Sequence, residues 1–253
     1  MARQARKKSA IGIYHIMMRG INRQNIFEDQ ADYIRFLQTL KQYKGISGYQ
    51  IYAYCLMGNH VHLLLKVGEE PLEQVMRRIC GSYVYWYNWK YQRIGNLFQD
   101  RFKSEPIEND SYFLTVLRYI HQNPLKAGLV KNIDDYQWSS IREYTHISEL
   151  VDSNFALKMF NVDREKAVIS LIQFCKMVSN EQCLEMEDKR LLPDPEAIDL
   201  IKHVCQVKSA SDLQKLDKAV RNEYLRKLKE EYHLSIRQIE RLTGINRGII
   251  LNA

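Results

Sequence analysis

Residues 48–67 read GYQIYAYCLMGNHVHLLLKV, two β-forming stretches joined by a short polar link. Tyr, Ile, Ala and Cys dominate the first stretch and Val and Leu the second, and such residues favour strands. The pair Gly58-Asn59 between them suits a tight turn. The sequence therefore predicts a β-hairpin, and two histidines, His60 and His62, lie in its second strand.

Strand and helix patterns alternate on both sides of this hairpin. Helical segments carry apolar residues at spacings of three and four, and strand segments are short and bounded by turn residues. The predicted order is strand 12–19, helix 29–43, strands 48–57 and 60–67, helix 71–91, an irregular or edge-strand segment 95–107 and helix 110–122. This order predicts an α+β fold, a ferredoxin-like antiparallel sheet with helices on one face.

The composition is that of an ordinary globular protein with a basic surface. Of the 253 residues 45% are hydrophobic, and Lys plus Arg exceed Asp plus Glu by 37 to 30, a formal charge of +7. This balance favours a polyanionic partner. No apolar run approaches the roughly 20 residues of a membrane span, and the basic start lacks the apolar stretch of a signal peptide. We therefore expect a cytoplasmic protein with no membrane partner.

The two histidines of the hairpin stand at positions i and i+2 of one strand. Because side chains alternate across a sheet, the imidazoles of His60 and His62 face the same side. Two ring nitrogens aimed at one point can hold a divalent metal, Mg²⁺ or Mn²⁺, with imidazole favouring Mn²⁺. A pair of structural histidines, each satisfied by hydrogen bonds, is the alternative interpretation of this pair alone.

A second group of polar residues lies on the helix predicted at 110–122 and just after it, where the sequence reads RYIHQNP. Tyr119 and Asn123 stand four residues apart and share one helix face, whereas His121 points about 200° away from Tyr119, at ~100° per residue. Pro124 disfavours helical structure, so the helix is expected to end near that residue. If the Tyr119 face packs on the histidine strand, a phenol and an amide oxygen meet the two imidazoles.

These side chains are chemically sufficient to cut and rejoin a phosphodiester. A bound metal polarises a phosphoryl oxygen and orients the strand. A phenol, with an ordinary pKa of about 10, becomes a nucleophile when a nearby cation favours the phenolate. Attack by tyrosine keeps the bond energy in a phosphotyrosine, so a 3′-hydroxyl can reverse the reaction. Tyr112, seven residues before Tyr119 on the same helix face, is the rival nucleophile.

Five blocks of the sequence resemble, in order, the signature blocks of the REP-associated tyrosine transposases, which are single-tyrosine HUH transposases of the IS200-like kind. The blocks are YHIMMRGINRQNIF at 14–27, LMGNHVH at 56–62, FQDRFKS at 98–104, RYIHQNP at 118–124 and WSS at 138–140. The resemblance implies a ferredoxin-like catalytic domain that nicks and rejoins single-stranded hairpin DNA, with one strand end held as a 5′-phosphotyrosine.

The resemblance also implies a role for each site residue. His60 and His62 match the metal-binding histidines, and Tyr119 matches the nucleophile. Asn123 matches the third metal ligand, although related insertion-sequence transposases commonly have Gln at this place, a side chain one methylene longer. The implied cofactor is Mg²⁺ or Mn²⁺.

A single-stranded partner would need a basic path with aromatic stacking platforms. The candidates for DNA contact are Arg19, Asn22, Arg23, Arg101 and Lys103. Arg19 and Arg23 lie inside the first signature block. On the helix predicted at 71–91, tyrosines recur every four residues at Tyr83, Tyr87 and Tyr91, a spacing for which helix packing is favoured over base stacking.

Beyond the signature blocks the chain is predicted to be helical. We expect a catalytic domain at 1–148, a helical connector at 149–192 and a helical domain at 193–253. Residues 235–247, with Gly244 at a turn, are similar to helix-turn-helix segments of bacterial DNA-binding proteins.

Two other functions stay open on the sequence. A DNA-binding regulator that uses the helix-turn-helix would bind DNA without metal-dependent cleavage. A binder or nuclease of structured RNA is the third possibility, although RNA can be cut through its own 2′-hydroxyl and has less need of a tyrosine nucleophile. The choice between monomer and dimer is also open, with the resemblance favouring a monomer.

Overall fold

The computed structural model describes residues 6–146, 148–179, 183–184, 192–232 and 234–253. These residues belong to two compact units, divided after residue 186. We refer to them as the N-terminal unit and the C-terminal unit. None of the described helices is both long enough and apolar enough to cross a membrane.

The N-terminal unit is built on a four-stranded sheet. Its elements are β1 (Ile13–Arg19), α1 (Gln30–Ser47), β2 (Gln50–Met57), β3 (His60–Lys66), α2 (Leu72–Lys90), β4 (Lys103–Ile107), α3 (Asp110–Lys126), α4 (Arg142–Thr145), α5 (Ser153–Lys158) and α6 (Arg164–Lys176). The strands lie in the order β2-β3-β1-β4, and each neighbouring pair is antiparallel. This βαββαβ arrangement confirms the predicted ferredoxin-like α+β fold.

Helices cover both faces of the sheet, so the prediction of a single helical face was wrong. On one face Met18 of β1 contacts Cys80 of α2. On the other, Tyr119 of α3 contacts His62 of β3. The physical reason lies in the strands, because β2 and β3 are buried almost continuously instead of at alternate residues. Strands of this kind need an apolar cover on both sides.

Local capping fixes where the helices next to the sheet begin and end. Asp29 accepts hydrogen bonds from the backbone N–H groups of Ala31 and Asp32, which starts α1. Gly48 ends the same helix with a φ of 65°, a left-handed conformation that glycine adopts without steric cost. Asn109 caps α3 in the same way as Asp29 caps α1, by accepting from the Tyr112 N–H.

Helix α3 continues to Lys126, past the predicted end near Pro124. Proline removes one N–H donor and disfavours helical structure before it, but these local costs are limited to one turn. Two contacts offset them: the Pro124 ring is buried, and the Asn123 side-chain amide donates to the Tyr119 carbonyl at 2.9 Å. As a result, the last turn of α3 carries Asn123 and Lys126 as helical residues.

The open edge of β2 is covered by the segment that follows α3. Leu56 N–H donates to the Trp138 carbonyl at 2.9 Å, and Ser140 N–H donates to the Tyr54 carbonyl at 3.0 Å. Farther along the same edge, Asp152 N–H bonds to the Ile51 carbonyl. Because these groups pair within the chain, the β2 edge offers few backbone groups to another strand.

Helices α5 and α6 also belong to the N-terminal unit. Their buried residues, among them Leu157 and Leu171, join the core that includes the sheet. Gln122 of α3 donates from its side-chain amide to the carbonyls of Cys175 and Met177, at 2.8 and 2.7 Å. The boundaries at 148 and 192 that the sequence suggests stay a prediction.

The C-terminal unit is helical throughout its described part and has its own core. Its elements are α7 (Asp194–Cys205), a 3₁₀ segment (Ala210–Lys215), α8 (Lys218–Glu230), α9 (Ile236–Thr243) and α10 (Arg247–Asn252). Gly244 ends α9 with a φ of 72°, and Asn246 caps α10 by accepting from the Gly248 N–H. Residues 235–252 thus form two short helices joined by a glycine turn, and the sequence pattern at 235–247 had indicated the first helix and the turn.

Gly20 offers a test of the close packing at the end of β1. A Cβ atom at this position would clash with the backbone carbonyl of Gln24 and would lie 3.0 Å from a methyl carbon of Ile26. We expect Gly20→Ala to lower the free energy of unfolding by about 1–3 kcal/mol. Denaturant unfolding followed by tryptophan fluorescence measures this, since all three tryptophans lie in the N-terminal unit.

Gly81 is the matched control for that substitution. It lies within α2, and a Cβ atom there would meet no heavy atom within 4 Å. Gly81→Ala should therefore leave the packing intact and raise the free energy of unfolding by about 0.5–1 kcal/mol through helix propensity. If Gly20→Ala and Gly81→Ala changed stability in the same direction, the inferred clash at Gly20 would be wrong.

Candidate active site

Three histidines and one tyrosine meet on the α3 face of the sheet. The ring centroids of His62 and Tyr119 are 5.5 Å apart, and those of His15 and Tyr119 are 5.8 Å apart. The rings of His60 and His62 are 5.2 Å apart and nearly perpendicular. The elements that carry these four residues, β1, β3 and α3, all belong to the N-terminal unit.

The sheet register explains why these side chains face the same side. In the β1–β3 pairing, Met17 lies opposite His62 and Arg19 opposite His60. Directly opposite residues of an antiparallel pair project to the same face, and so do residues two apart in one strand. His60 and His62 therefore lie on one face, as the period of two predicted. His15 lies on the same face.

His62 and His15 are buried and hydrogen-bonded to each other. His62 Nδ1 lies 3.0 Å from His15 Nε2. Burial lowers the pKa of His15 to about 3, and burial with the neighbouring His15 and His60 rings lowers the pKa of His62 well below its ordinary value. Both rings are therefore neutral at physiological pH, and a neutral imidazole is the form that binds a metal.

His60 is oriented by the turn that precedes it. Its Nδ1 lies 2.6 Å from Asn59 Oδ1, and Asn59 Nδ2 donates to the Arg23 carbonyl at 3.3 Å. Asn22 and Arg23 both have positive φ angles, 50° and 60°. Such a backbone is uncommon for arginine and persists only where surrounding contacts hold it. The loop after β1 thus supports the hairpin turn that orients His60.

The last turn of α3 adds two polar groups next to Tyr119. Asn123 follows one helical turn after the tyrosine and is partly exposed. Lys126 Nζ lies 5.0 Å from the centroid of the Tyr119 ring. A cation over an aromatic face is attracted by the ring and brings positive charge to the phenol. The tyrosine therefore lies between buried histidines on one side and an exposed ammonium on the other.

The opposite face of α3 holds the helix against the chain segment after it. His121 Nε2 lies 2.9 Å from Ser140 Oγ, and the same hydroxyl accepts a hydrogen bond from the Tyr54 N–H at 2.9 Å. His121 thus faces away from Tyr119, as predicted, and is buried by the core. Its contacts connect α3 to the edge of β2, which fixes where Tyr119 lies over the sheet.

The rival tyrosine lies outside this cluster. The Tyr112 hydroxyl donates to Glu105 Oε2 at 2.6 Å. Burial and the neighbouring Glu105 carboxylate raise the pKa of this phenol. Between the two, Tyr119 is the tyrosine whose ring contacts His62. The stripe at Tyr83, Tyr87 and Tyr91 packs in the protein, since Tyr83 and Tyr87 are buried and Tyr91 bonds to Asp32.

The ring orientations at the site fit the binding of a metal. His60 and His62 each have Nδ1 in contact with a neighbouring residue, which leaves Nε2 as the nitrogen that could face a metal, a common arrangement for metal-binding imidazoles. Among the described residues, no group of three or more His, Cys, Asp or Glu side chains could hold a metal. A centre on these histidines therefore needs a different third donor, and the Asn123 amide oxygen is of a suitable type.

The predicted DNA-contact residues fall into two places. Arg19, Asn22 and Arg23 lie at the end of β1 and in the loop that contacts the His60 turn. Lys103 lies on β4 opposite Met17, on the same face as the histidines, and Arg101 is exposed just before it. The two places are linked by the Gln99 N–H, which donates to the Arg19 carbonyl at 2.9 Å.

The model of the family described as "Transposase IS200 like" matches residues 10–123. The matched segment contains the three histidines, Tyr119 and Asn123. Residues 10–123 of the N-terminal unit are thus similar to transposases of the IS200-like family.

Two relatives support the same assignment. A REP-associated tyrosine transposase of Haemophilus influenzae is 29% identical over 123 residues, which cover 44% of this chain and 69% of that protein. A solved structure of a REP-associated tyrosine transposase bound to a REP hairpin is similar with a TM-score of 0.50. It is 20% identical, and the match covers 61% of this chain and 94% of the other. At this identity the solved structure supports the fold of the N-terminal unit.

Three site residues were not found from the sequence: His15, Asn59 and Lys126. Asn59 was assigned only to a turn, although its neighbour His60 could have drawn attention to it. Lys126 stands seven residues after Tyr119, a same-face spacing that the expected helix end near Pro124 concealed. No signal in the sequence placed His15 beside His62, because nothing local specifies which strands pair.

Proposed function

We propose that this chain is a metal-dependent endonuclease and strand transferase for single-stranded hairpin DNA, with Tyr119 as the nucleophile. The observation that carries the proposal is the contact of the Tyr119 ring with His62, a buried neutral histidine beside His60. A phenol next to a histidine pair suits attack on a phosphodiester that the same pair helps to bind.

The reaction follows from the bonds that change. Tyr119 Oη forms a bond to phosphorus, and the bond from phosphorus to the 3′-oxygen of the preceding nucleotide breaks. The phenol proton is lost to water, and the departing 3′-oxygen gains one, leaving a 3′-hydroxyl and a 5′-phosphotyrosine. The reverse attack by a 3′-hydroxyl reseals DNA without ATP.

His60, His62 and Asn123 are the proposed holders of the metal, Mg²⁺ or Mn²⁺. When bound, such an ion supplies Lewis-acid polarisation of the phosphoryl oxygen. Contacts within the chain hold the proposed metal-binding side chains in place. The Asn59 contact orients His60, and the α3 backbone keeps Asn123 one turn from Tyr119.

The proposed substrate is a DNA hairpin with a single-stranded flank. The solved protein of similar fold is bound to a REP hairpin. In this chain, the proposed DNA path runs from the loop at Asn22 and Arg23 past Arg19 toward Arg101 and Lys103. These cationic groups would neutralise phosphates, so binding should weaken as salt rises.

A single copy of the chain is the proposed catalytic form. Tyr119 lies over the histidines of its own sheet, so no second copy has to supply the nucleophile. The β2 edge, a place where two sheets could join, is covered by the segment around Trp138 and Ser140.

A second function, DNA binding by the C-terminal unit, is favoured by its α9–turn–α10 arrangement. If it binds DNA, the C-terminal unit would increase the affinity of the chain for DNA, and the N-terminal unit would cleave the strand. If the chain were instead only a regulator, it would bind the hairpin and form no covalent adduct.

The experiment that tests the proposal uses the full chain. End-labelled single-stranded hairpin DNA is incubated with protein and Mn²⁺ or Mg²⁺, and products are separated on a denaturing protein gel. We expect label to stay with the protein only when a divalent metal is present. Tight binding without any adduct would favour the regulator, and preference for a matched RNA hairpin would favour an RNA-directed function.

Lys126 gives a further prediction for the same assay. Its ammonium lies over the Tyr119 ring, where it would favour the phenolate and the approaching phosphate. We expect Lys126→Gln to slow adduct formation by about 2- to 5-fold, the range of a cation–π contact near an exposed site. Lys126→Arg keeps the charge and should retain most of the rate.

Lys131, an exposed lysine in the loop after α3, is the matched control. Lys131→Gln removes the same charge from the chain without changing the surroundings of Tyr119. Equal losses in Lys126→Gln and Lys131→Gln would mean that general attraction of DNA, and no local effect on the phenol, explains the result.

A further inference from the structure

His15 is a buried histidine of β1 for which the transposition chemistry has no evident use. Its side chain is 0% exposed, and its Nε2 lies 3.0 Å from Nδ1 of His62. It lies on the same face as Met17, which is directly opposite His62 in the register. His15 is therefore a direct neighbour of a proposed metal ligand.

The contact between these two rings constrains where protons lie. A contact of 3.0 Å between two ring nitrogens has room for only one proton, and a neutral imidazole carries one N–H. In one arrangement, His15 Nε2–H donates to His62 Nδ1. In the other, His62 Nδ1–H donates to His15 Nε2. Only the second leaves a lone pair on His62 Nε2 with which to bind a metal.

We propose that His15 is a positioning residue of the metal centre, whose Nε2 accepts the Nδ1–H of His62 and so directs His62 Nε2 to the ion. This inference rests on the proposed metal-dependent function. It assigns to His15 the part that carboxylates and backbone carbonyls take beside other metal-binding histidines, which is to fix the tautomer and the ring orientation.

The far nitrogen of His15 makes the arrangement sensitive to the metal. When His15 Nε2 accepts, its own proton lies on Nδ1, a buried atom with no hydrogen-bond partner among the described residues. Glu105, opposite His15 on β4, is bonded to Tyr112. Because a buried donor without a partner is unfavourable, the metal-free chain should prefer the first arrangement, and metal binding should select the second.

Two substitutions of His15 separate hydrogen bonding from packing. Leucine fills much of the same space without an acceptor, whereas glutamine places an amide oxygen near the position of Nε2. We expect His15→Leu to weaken Mn²⁺ binding by about 10- to 100-fold, and His15→Gln to stay within about threefold of the wild type. Electron paramagnetic resonance of free Mn²⁺ during titration measures this without any DNA.

Met17→Leu is the matched control. Met17 is buried beside His62 on the same face, and its thioether does not serve as the hydrogen-bond partner of His62 Nδ1. It should leave the Mn²⁺ affinity unchanged. Circular dichroism melts show which variants are folded. If His15→Leu does not fold, His15→Gln and the spectroscopic readout on the wild type decide the question.

The spectroscopic readout is the tautomer of His62, from long-range ¹H–¹⁵N NMR correlation spectra. A diamagnetic ion, Mg²⁺, is used there in place of Mn²⁺. We expect the proton of the wild-type His62 to move from Nε2 to Nδ1 when Mg²⁺ is added. Unchanged Mn²⁺ affinity in folded His15→Leu, or a His62 proton that stays on Nε2, would overturn the role of His15.

The same measurements distinguish an error in the proposed metal-dependent function from an error in the role of His15. If the wild-type chain binds neither Mn²⁺ nor Mg²⁺, the proposed function loses its metal and the role of His15 is overturned with it. If the wild type binds metal and forms the adduct while His15→Leu binds metal equally well, only the inference about His15 fails.

Discussion

Tyr119→Phe is expected to abolish the covalent protein–DNA adduct and to reduce cleavage of a hairpin substrate by at least about 10⁴-fold. The substitution removes only the hydroxyl that would attack phosphorus. The ring that contacts His62 and His15 stays, so folding and metal binding should be retained. Label transferred to protein on a denaturing gel, with and without Mn²⁺, measures the effect.

Tyr112→Phe is the control for that experiment. Tyr112 lies on the same helix, and its hydroxyl is bonded to Glu105 instead of facing the histidines. It should form adduct at a rate within about threefold of the wild type, since it changes no group at the reacting phosphate. Loss of adduct in Tyr112→Phe with retention in Tyr119→Phe would reverse the assignment of the nucleophile.

His60→Ala is expected to have the next largest effect, a fall of about 10³-fold in metal-dependent cleavage. Removing one proposed ligand should weaken metal binding, and the polarisation that a metal supplies amounts to several kcal/mol of the barrier. His60 is only partly buried, so the variant should fold. Mn²⁺ affinity and adduct formation, measured on the same preparation, should both decrease.

His203→Ala serves as its control, because His203 is an exposed histidine of α7 in the C-terminal unit. It should change neither quantity. If His60→Ala cleaved the hairpin at the wild-type rate while binding Mn²⁺ normally, then His60 would not be a metal ligand, and the site would have to be rebuilt around His62 and other donors.

The fold was largely predictable from local patterns. The β-forming residues and the Gly58-Asn59 turn within 48–67 predicted the β2–β3 hairpin, and helical spacings predicted α1, α2 and α3. The main errors came from effects that local patterns do not contain. Burial of Pro124 carried α3 beyond its expected end, and the continuous burial of β2 and β3 required helices on both faces.

The candidate site was predictable in part for the same reason. His60 and His62 share a face because they are two apart on a strand, and Tyr119 and Asn123 share one because they are four apart on a helix. These relations hold within a single element. The support around them was not predictable: the Asn59 bond to the Arg23 loop and the Lys126 contact depend on where the chain returns in space.

The sequence by itself determined the type and order of the elements, the basic charge, and the faces on which the two histidines and the tyrosine lie. Tertiary structure alone decided that β1 lies between β3 and β4, which brings His15 to His62, and that α3 lies over that face with Tyr119 toward the histidines. The physical reason is that side-chain periodicity follows from the geometry of one strand or helix, whereas strand order follows from packing residues far apart in the chain.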